Sequence, residues 1–264
     1  MNVIECMEIL KKTARSRKPS FGSWQALSHP SITEILVHAG FEWLVIDMEH
    51  SVIGLDTLQP LLQTAQALDC PALVRVPCND ETIIKRVLDA GASGLIVPMI
   101  NTLEDVNRAV EAAYYPPVGK RGTGLARAQN YGTSFQKYVS ASKKNTVLFV
   151  QIEHAEGVKN AEAILSHEHV DGFLLGPYDL SASYGIAGQL QHPWILKAES
   201  DVLKIAHREK KVCGIHIVHP TPSLIQSKVK KGFQFLALGT DFLYLGDACR
   251  AMAAQARKII KKRK

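Results

Sequence analysis

The chain has 264 residues, 46% of them hydrophobic, which is enough apolar material for one large core and too much for a disordered segment. No apolar run approaches the roughly 18 residues that span a bilayer, and MNVIECMEILKKTARSRKPS at the start mixes charge into its apolar positions, unlike a secretory signal. The net charge of +6 is carried by the last eight residues, RKIIKKRK; without their Lys and Arg the body holds 25 basic against 25 acidic residues, which disfavours a nucleic-acid surface.

From residue 21 onward short apolar runs alternate with amphipathic ones. FGSWQA (21–26) predicts the first strand, and SITEILVHAG after it has helical spacing and a closing Gly. WLVIDM (43–48) is the second strand, and its end is unusual, because Asp47, Glu49 and His50 crowd there. An apolar strand that ends in three ionisable groups should open onto a site. The helical LDTLQPLLQTAQALD leads to ALVRVP (72–77), which carries Arg75, and DETIIKRVLDAG leads to GLIVPM (94–99).

The connection 115–145 includes YPPVGKRGTGLARAQNYG; it is too long for an idle loop and is expected to cover a site. TVLFVQIE (146–153) then brings Gln151 and Glu153, and DGFLLG (171–176) runs into GPYDLS with Asp179. VCGIHIV (212–218) and FQFLALG (233–239) complete the set. Eight buried strands, each followed by a helix, predict a parallel sheet closed into one (β/α)8 TIM barrel, a single domain over 1–264. The glycine-rich turn of a dinucleotide fold is absent after the first strand. Five scattered cysteines, none in a C-x-x-C pair, point to reduced thiols in a cytoplasmic protein. The basic stretch 257–264 is expected to be a solvated helix end.

The chemistry is expected at the strand ends, on the βα loops. Glu153 and Asp179 come from neighbouring strands and can converge there. Two carboxylates without cysteine suit a hard divalent ion, Mg²⁺ or Mn²⁺, although both could instead be helix N-terminal caps or salt-bridge partners. In GPYDLS, Gly176 allows close approach and Pro177 fits a first helical position, leaving the amides of Tyr178 and Asp179 free for an anion; an ordinary helix start would look the same. Arg75 in a strand needs an anionic partner, either Asp47 or Glu49 or an oxyanion on a bound substrate. Asp47 and His50 have the composition of an orienting carboxylate and a base. His154, His216 and His219 are weaker candidates, expected behind the site or in solvent. No strand contains a lysine, so a Schiff-base mechanism has no obvious nucleophile.

LVIDMEH, LVRVPCND, IIKRVLDAGASGLIVPMINT, YYPPVGKRG, VQIE and VDGFLLGPYDLSASYG together resemble the metal-dependent, class II 2-oxo acid aldolases of the HpcH/HpaI type. The resemblance runs from about residue 20 to about residue 255. It implies a pyruvate/phosphoenolpyruvate-type barrel that cleaves 4-hydroxy-2-oxo acids to pyruvate and an aldehyde. Glu153 and Asp179 would hold Mg²⁺ or Mn²⁺, with Co²⁺ or Zn²⁺ as alternatives, and Arg75 would sit on the pyruvate oxygen. Asp47 and His50 would be the base, Gln151 a pyruvate-side contact, and Gly176, Pro177, Tyr178 and Asp179 the carboxylate-binding turn. Asp89 matches an aspartate that the family inserts from a neighbouring subunit, in hexamers built as trimers of dimers. Tyr178, the HSVIG after Asp47–Glu49 and GTGLARAQNYG depart from the familiar pattern, and all are expected around the aldehyde half of the substrate. Two rivals stand beside this expectation. One is an acyl-CoA lyase of the same superfamily, with Arg121 and Arg127 as its basic loop residues. The other is a non-catalytic barrel that docks RNA or a partner through RKIIKKRK.

Overall fold

The computed structural model describes residues 1–261; the last residues of the basic run, 262–264, lie outside the described residues. Eight strands, β1 (Ser20–Gln25), β2 (Leu44–Asp47), β3 (Ala72–Arg75), β4 (Gly94–Val97), β5 (Val147–Ile152), β6 (Gly172–Leu175), β7 (Val212–Ile217) and β8 (Phe235–Thr240), pair in parallel in chain order and close into a barrel. Each expected strand is present, displaced by a residue or two at its ends. The (β/α)8 barrel read from the alternation is the fold observed.

Helices run between the strands: α2 (Pro30–His38), α3 (Leu55–Ala67), α4 (Glu81–Asp89), α5 (Leu103–Ala113), α6 (Phe135–Asn145), α7 (Ala155–Lys159), α8 (Ala161–Leu165), α9 (Pro177–Ser183), α10 (Pro193–Arg208) and α11 (Pro222–Lys231). Among the described residues, no helix is long and apolar enough to cross a membrane.

Side-chain alternation along the strands sorts the core into two parts. Val45, Leu73, Ile96, Phe149, Leu174 and Phe235 pack together inside the barrel. Their neighbours Leu44, Ile46, Val74, Leu95, Val97, Leu148, Val150, Phe173 and Leu175 face the helices. Continuing the same alternation brings Asp47, Arg75 and Gln151 to the interior at the strand C-termini. The polar residues at those ends therefore share one mouth. Deeper in the barrel, Trp43 stacks on Phe235 with ring centroids 3.6 Å apart. Gly22 makes room for it, since a Cβ there would lie 2.2 Å from the Trp43 ring.

Helix α1 (Val3–Ser16), not expected from the sequence, closes the opposite end of the barrel. Asn2 and Glu5 form a capping box, and Val3, Cys6, Met7, Leu10 and Ala14 are buried along one face. Leu10 and Ala14 join the interior cluster, and Lys11 Nζ reaches Asp171 at 2.5 Å and the Thr146 carbonyl at 3.0 Å.

Two further features bear on function. The long connection leaves α5, not a strand, so it lies on the rim next to the strand N-termini. There Arg121 is buried between the rings of Tyr115 and Tyr138, 2.6 Å from Asp89 at the C-terminal end of α4. Arg127 Nη1 donates to the Ala90 carbonyl at 2.8 Å. The expectation that this connection covers the chain's own site is corrected: it packs on the far side of the barrel. The last helix, α12 (Asp241–Lys261), is buried only at Asp241. Phe242, Leu245, Cys249, Met252, Ala256 and Ile259 follow one another at three- and four-residue spacing, all exposed.

Candidate active site

The mouth is organised around Arg75. Asp47 and Arg75 are register partners on adjacent parallel strands, and both point inward. Arg75 Nε donates to Asp47 Oδ1 at 2.8 Å, and Nη2 donates to Oδ2 at 2.7 Å, a bidentate fork. Nη1 lies 2.9 Å from Glu49 Oε2. The angle there is too poor for a hydrogen bond, and that buried oxygen is left unsatisfied. The guanidinium carbon lies 4.9 Å from the Trp24 ring centroid, so the group is held at its edges and on its face. Burial pushes the Asp47 carboxyl up, but the Arg75 bonds and charge outweigh it and hold the group below the usual carboxylate range. Glu49, with weaker compensation, is pushed up to about 7 by burial, with Glu153, Asp47 and Asp179 adding repulsion.

Glu153 stands just past β5, where its Oε1 accepts from the Met99 amide at 2.8 Å and its Oε2 from Gln151 Nε2. Burial raises its carboxyl, and the charge of Asp179 raises it further. Gln151 Oε1 is buried with no partner among the described residues. Met99 holds its amide in place from the left-handed region, at φ 53°, a conformation that costs energy in a non-glycine residue and collects at functional sites. Asp179 is exposed in the first turn of α9, with Pro177 at the helix start and Gly176 before it. A Cβ on Gly176 would lie 2.7 Å from Glu153 Cβ and 2.8 Å from Glu153 Oε2, so only glycine fits.

A cleft opens here, bordered by Arg75, Gln151, Tyr178, Asp179, Trp24 and His216. No lysine lines it. His216 was expected behind the site or in solvent; it is half-buried and stacked on Trp24, centroids 4.4 Å apart and planes 7° from parallel. Sequence reasoning missed Trp24 and Met99 altogether. Period-two alternation from Gly22 could have put Trp24 inside the barrel, whereas no local signal marks a residue whose contribution is its backbone amide.

The expected Asp47–His50 pair is not formed between side chains. Asp47 Oδ1 accepts from the backbone amides of Glu49 at 3.0 Å and His50 at 3.4 Å, while its remaining capacity goes to Arg75. The His50 imidazole is exposed at the mouth. Asp47 thus fixes the turn that carries His50, not the ring itself. Of the other histidines, His154 caps α7 through Nδ1, 3.1 Å from the Glu156 amide, and His219 is exposed. Asp89 lies at the opposite rim with Arg121 and cannot reach this mouth within one chain. Asp241 at the end of β8 accepts from the amides of Ala26, Leu27 and Phe242 and is structural.

The chain that carries this site has clear relatives. A 5-keto-4-deoxy-D-glucarate aldolase of Citrobacter koseri is 35% identical over 248 residues, covering 94% of this chain and 96% of that protein. The crystal structure of an HpcH/HpaI aldolase/citrate lyase family protein from Burkholderia cenocepacia superposes with a TM-score of 0.89 at 31% identity, over 95% of this chain and 99% of that one. The citrate synthase SbnG superposes with a TM-score of 0.83 at 25% identity, over 94% and 97% of the two chains. The family model for HpcH/HpaI aldolase/citrate lyase matches residues 20–248, and the chain belongs to that family.

Proposed function

We propose that this enzyme is a divalent-metal-dependent aldolase that reversibly cleaves 4-hydroxy-2-oxo acids to pyruvate and an aldehyde. The observation that carries it is the guanidinium of Arg75, clamped by Asp47 and Glu49 beside the carboxylates of Glu153 and Asp179. The donor set fits Mg²⁺ or Mn²⁺. Both carboxylates are hard oxygen ligands, Glu153 is buried against its own charge, and the unpartnered Gln151 Oε1 adds a third oxygen nearby. Glu153 and Asp179 would hold the ion, which supplies Lewis acidity toward the charge that develops on the pyruvate oxygen.

The chain's own residues account for the remaining steps. Asp47 takes two of the five N–H directions of Arg75 and the Glu49 charge lies beside Nη1, so the guanidinium is held with its remaining N–H groups available to a developing oxyanion. The Gly176 amide is bonded to the Ile152 carbonyl and Pro177 has none, so the amides of Tyr178 and Asp179 are the ones offered to the substrate carboxylate. His50, exposed just above Asp47, takes the proton from the C4 hydroxyl in cleavage and returns it in addition. Asp89, held by Arg121, would enter the mouth of a neighbouring subunit, in a hexamer built as a trimer of dimers. The acyl-CoA lyase alternative is disfavoured because Arg121 is buried between Tyr115 and Tyr138 and paired with Asp89, and Arg127 is tied to the Ala90 carbonyl, so both candidate basic groups are already engaged. Among the described residues, no observation favours docking through the basic tail.

The test is pyruvate release across a panel of 4-hydroxy-2-oxo acids with Mg²⁺, Mn²⁺, Co²⁺ or Zn²⁺, after EDTA treatment. Activity should return only with a divalent ion, and Glu153→Gln and Asp179→Asn should lose metal affinity by calorimetry while keeping their circular dichroism. Full activity in demonstrably metal-free protein, or a borohydride-trapped pyruvate adduct on lysine, would overturn the assignment.

A further inference from the structure

His216 is half-buried in the mouth, and its two nitrogens have unequal surroundings. Nε2 lies 2.9 Å from the Gly239 carbonyl and 3.4 Å from Thr240 Oγ1. A carbonyl oxygen can only accept, so Nε2 must carry the hydrogen. Burial pushes the imidazole pKa down to about 4, with the Arg75 charge adding to the effect, and the ring is neutral at pH 7. Nδ1 then bears a lone pair and has no partner among the described residues. It is the one polar atom that His216 can offer to the cleft it lines. The ring cannot turn over freely, because it lies flat on Trp24 while Nε2 is tied to β8.

An acceptor in this position selects its neighbour. The carboxylate and keto oxygens of pyruvate carry only lone pairs and are repelled by Nδ1. Gln151 Nε2 is engaged by Glu153. Arg75 and His216 both lie against the Trp24 ring, so the acceptor is near the reacting carbons and not at the outer lip. We propose that His216 Nδ1 accepts a hydrogen bond from a hydroxyl on the carbon next to the aldehyde carbonyl, and so selects 2-hydroxyaldehydes as the partners of pyruvate. This rests on the aldolase assignment above and names the class of its second substrate. A methyl in place of that hydroxyl leaves the acceptor desolvated and unpaired, which is the strongest form of discrimination a small pocket has.

Glycolaldehyde and propanal test this, since they differ by a hydroxyl for a methyl. In the pyruvate addition reaction with Mg²⁺, wild-type kcat/KM should favour glycolaldehyde by at least about tenfold. His216→Phe keeps an aromatic face for Trp24 but no lone pair, and the ratio should collapse to within about threefold of unity. His216→Gln, which can still accept, should retain most of the preference. No wild-type preference, or a preference that survives in His216→Phe, overturns the proposal. A second measurement needs no turnover and no variant. Long-range ¹⁵N–¹H spectra of histidine-labelled protein should show His216 as the Nε2–H tautomer at pH 7, and an Nδ1–H tautomer or an imidazolium would also overturn it. Addition to neither aldehyde would remove the aldolase assignment and this proposal together, an outcome distinct from equal addition to both.

Discussion

At Gly176 the chain after β6 passes Glu153 so closely that one methyl group would sit within 3 Å of two of its atoms. Gly176→Ala should therefore shift the Glu153 carboxylate, lower kcat/KM by roughly a hundredfold, and leave the far-ultraviolet circular dichroism unchanged, because a displacement near 1 Å suffices for such a loss. His216 makes a separate prediction about stability. Its pKa is about 4 in the folded state against the ordinary imidazole value of 6.5, so the unfolded chain binds the proton more readily between those values. The stabilisation is complete above pH 6.5 and is lost as pH falls through 4. Urea titrations should show wild type losing up to about 3 kcal/mol over that window that His216→Phe keeps. At this scale the sequence was informative about which residues matter and less so about whom they face. Asp47 reads as a partner of His50 because they are three residues apart. Parallel register sets it beside Arg75, and that neighbour lies 28 positions away. Likewise Trp24 and His216 meet only because β1 and β7 both flank β8.

Among the elements, α1 has the least familiar placement and a directly testable role. Leu10 is fully buried among residues of the barrel interior. Leu10→Ala should lower unfolding free energy by about 2–4 kcal/mol, seen as a lower urea midpoint at constant slope. The eight strands were legible since each is a short continuous apolar run between helical repeats. α1 was legible in principle, from Asn2 and Glu5 and the 3, 6, 7, 10, 14 spacing of its buried face; its charged residues hid it. The long connection was misplaced for a different reason. Length and composition say that a loop is functional, but only its predecessor says on which rim it lies. A segment that follows α5 belongs at the strand N-termini, however rich it is in Gly and Arg.

For the molecule as a whole, the apolar spacing along α12 has no counterpart among the described residues: Leu245, Met252 and Ile259 are each more than half exposed. A seam of this kind is what a helix needs to pack against another copy. Met252→Asp should reduce the oligomeric order measured by sedimentation velocity, with monomer secondary structure retained. The rim that carries Asp89 and the long connection faces away from its own mouth, and this has a kinetic consequence. If those groups act in a neighbour, turnover per chain is a property of the assembly and obeys mass action. Specific activity should then fall as the enzyme is diluted below the dissociation constant of its assembly, and an inert molecular crowder should restore it in part. Mixing an Asp89→Ala chain with a His50→Ala chain, each inactive alone, should regenerate activity, because some mouths in the mixed assembly would combine an intact His50 with an intact Asp89.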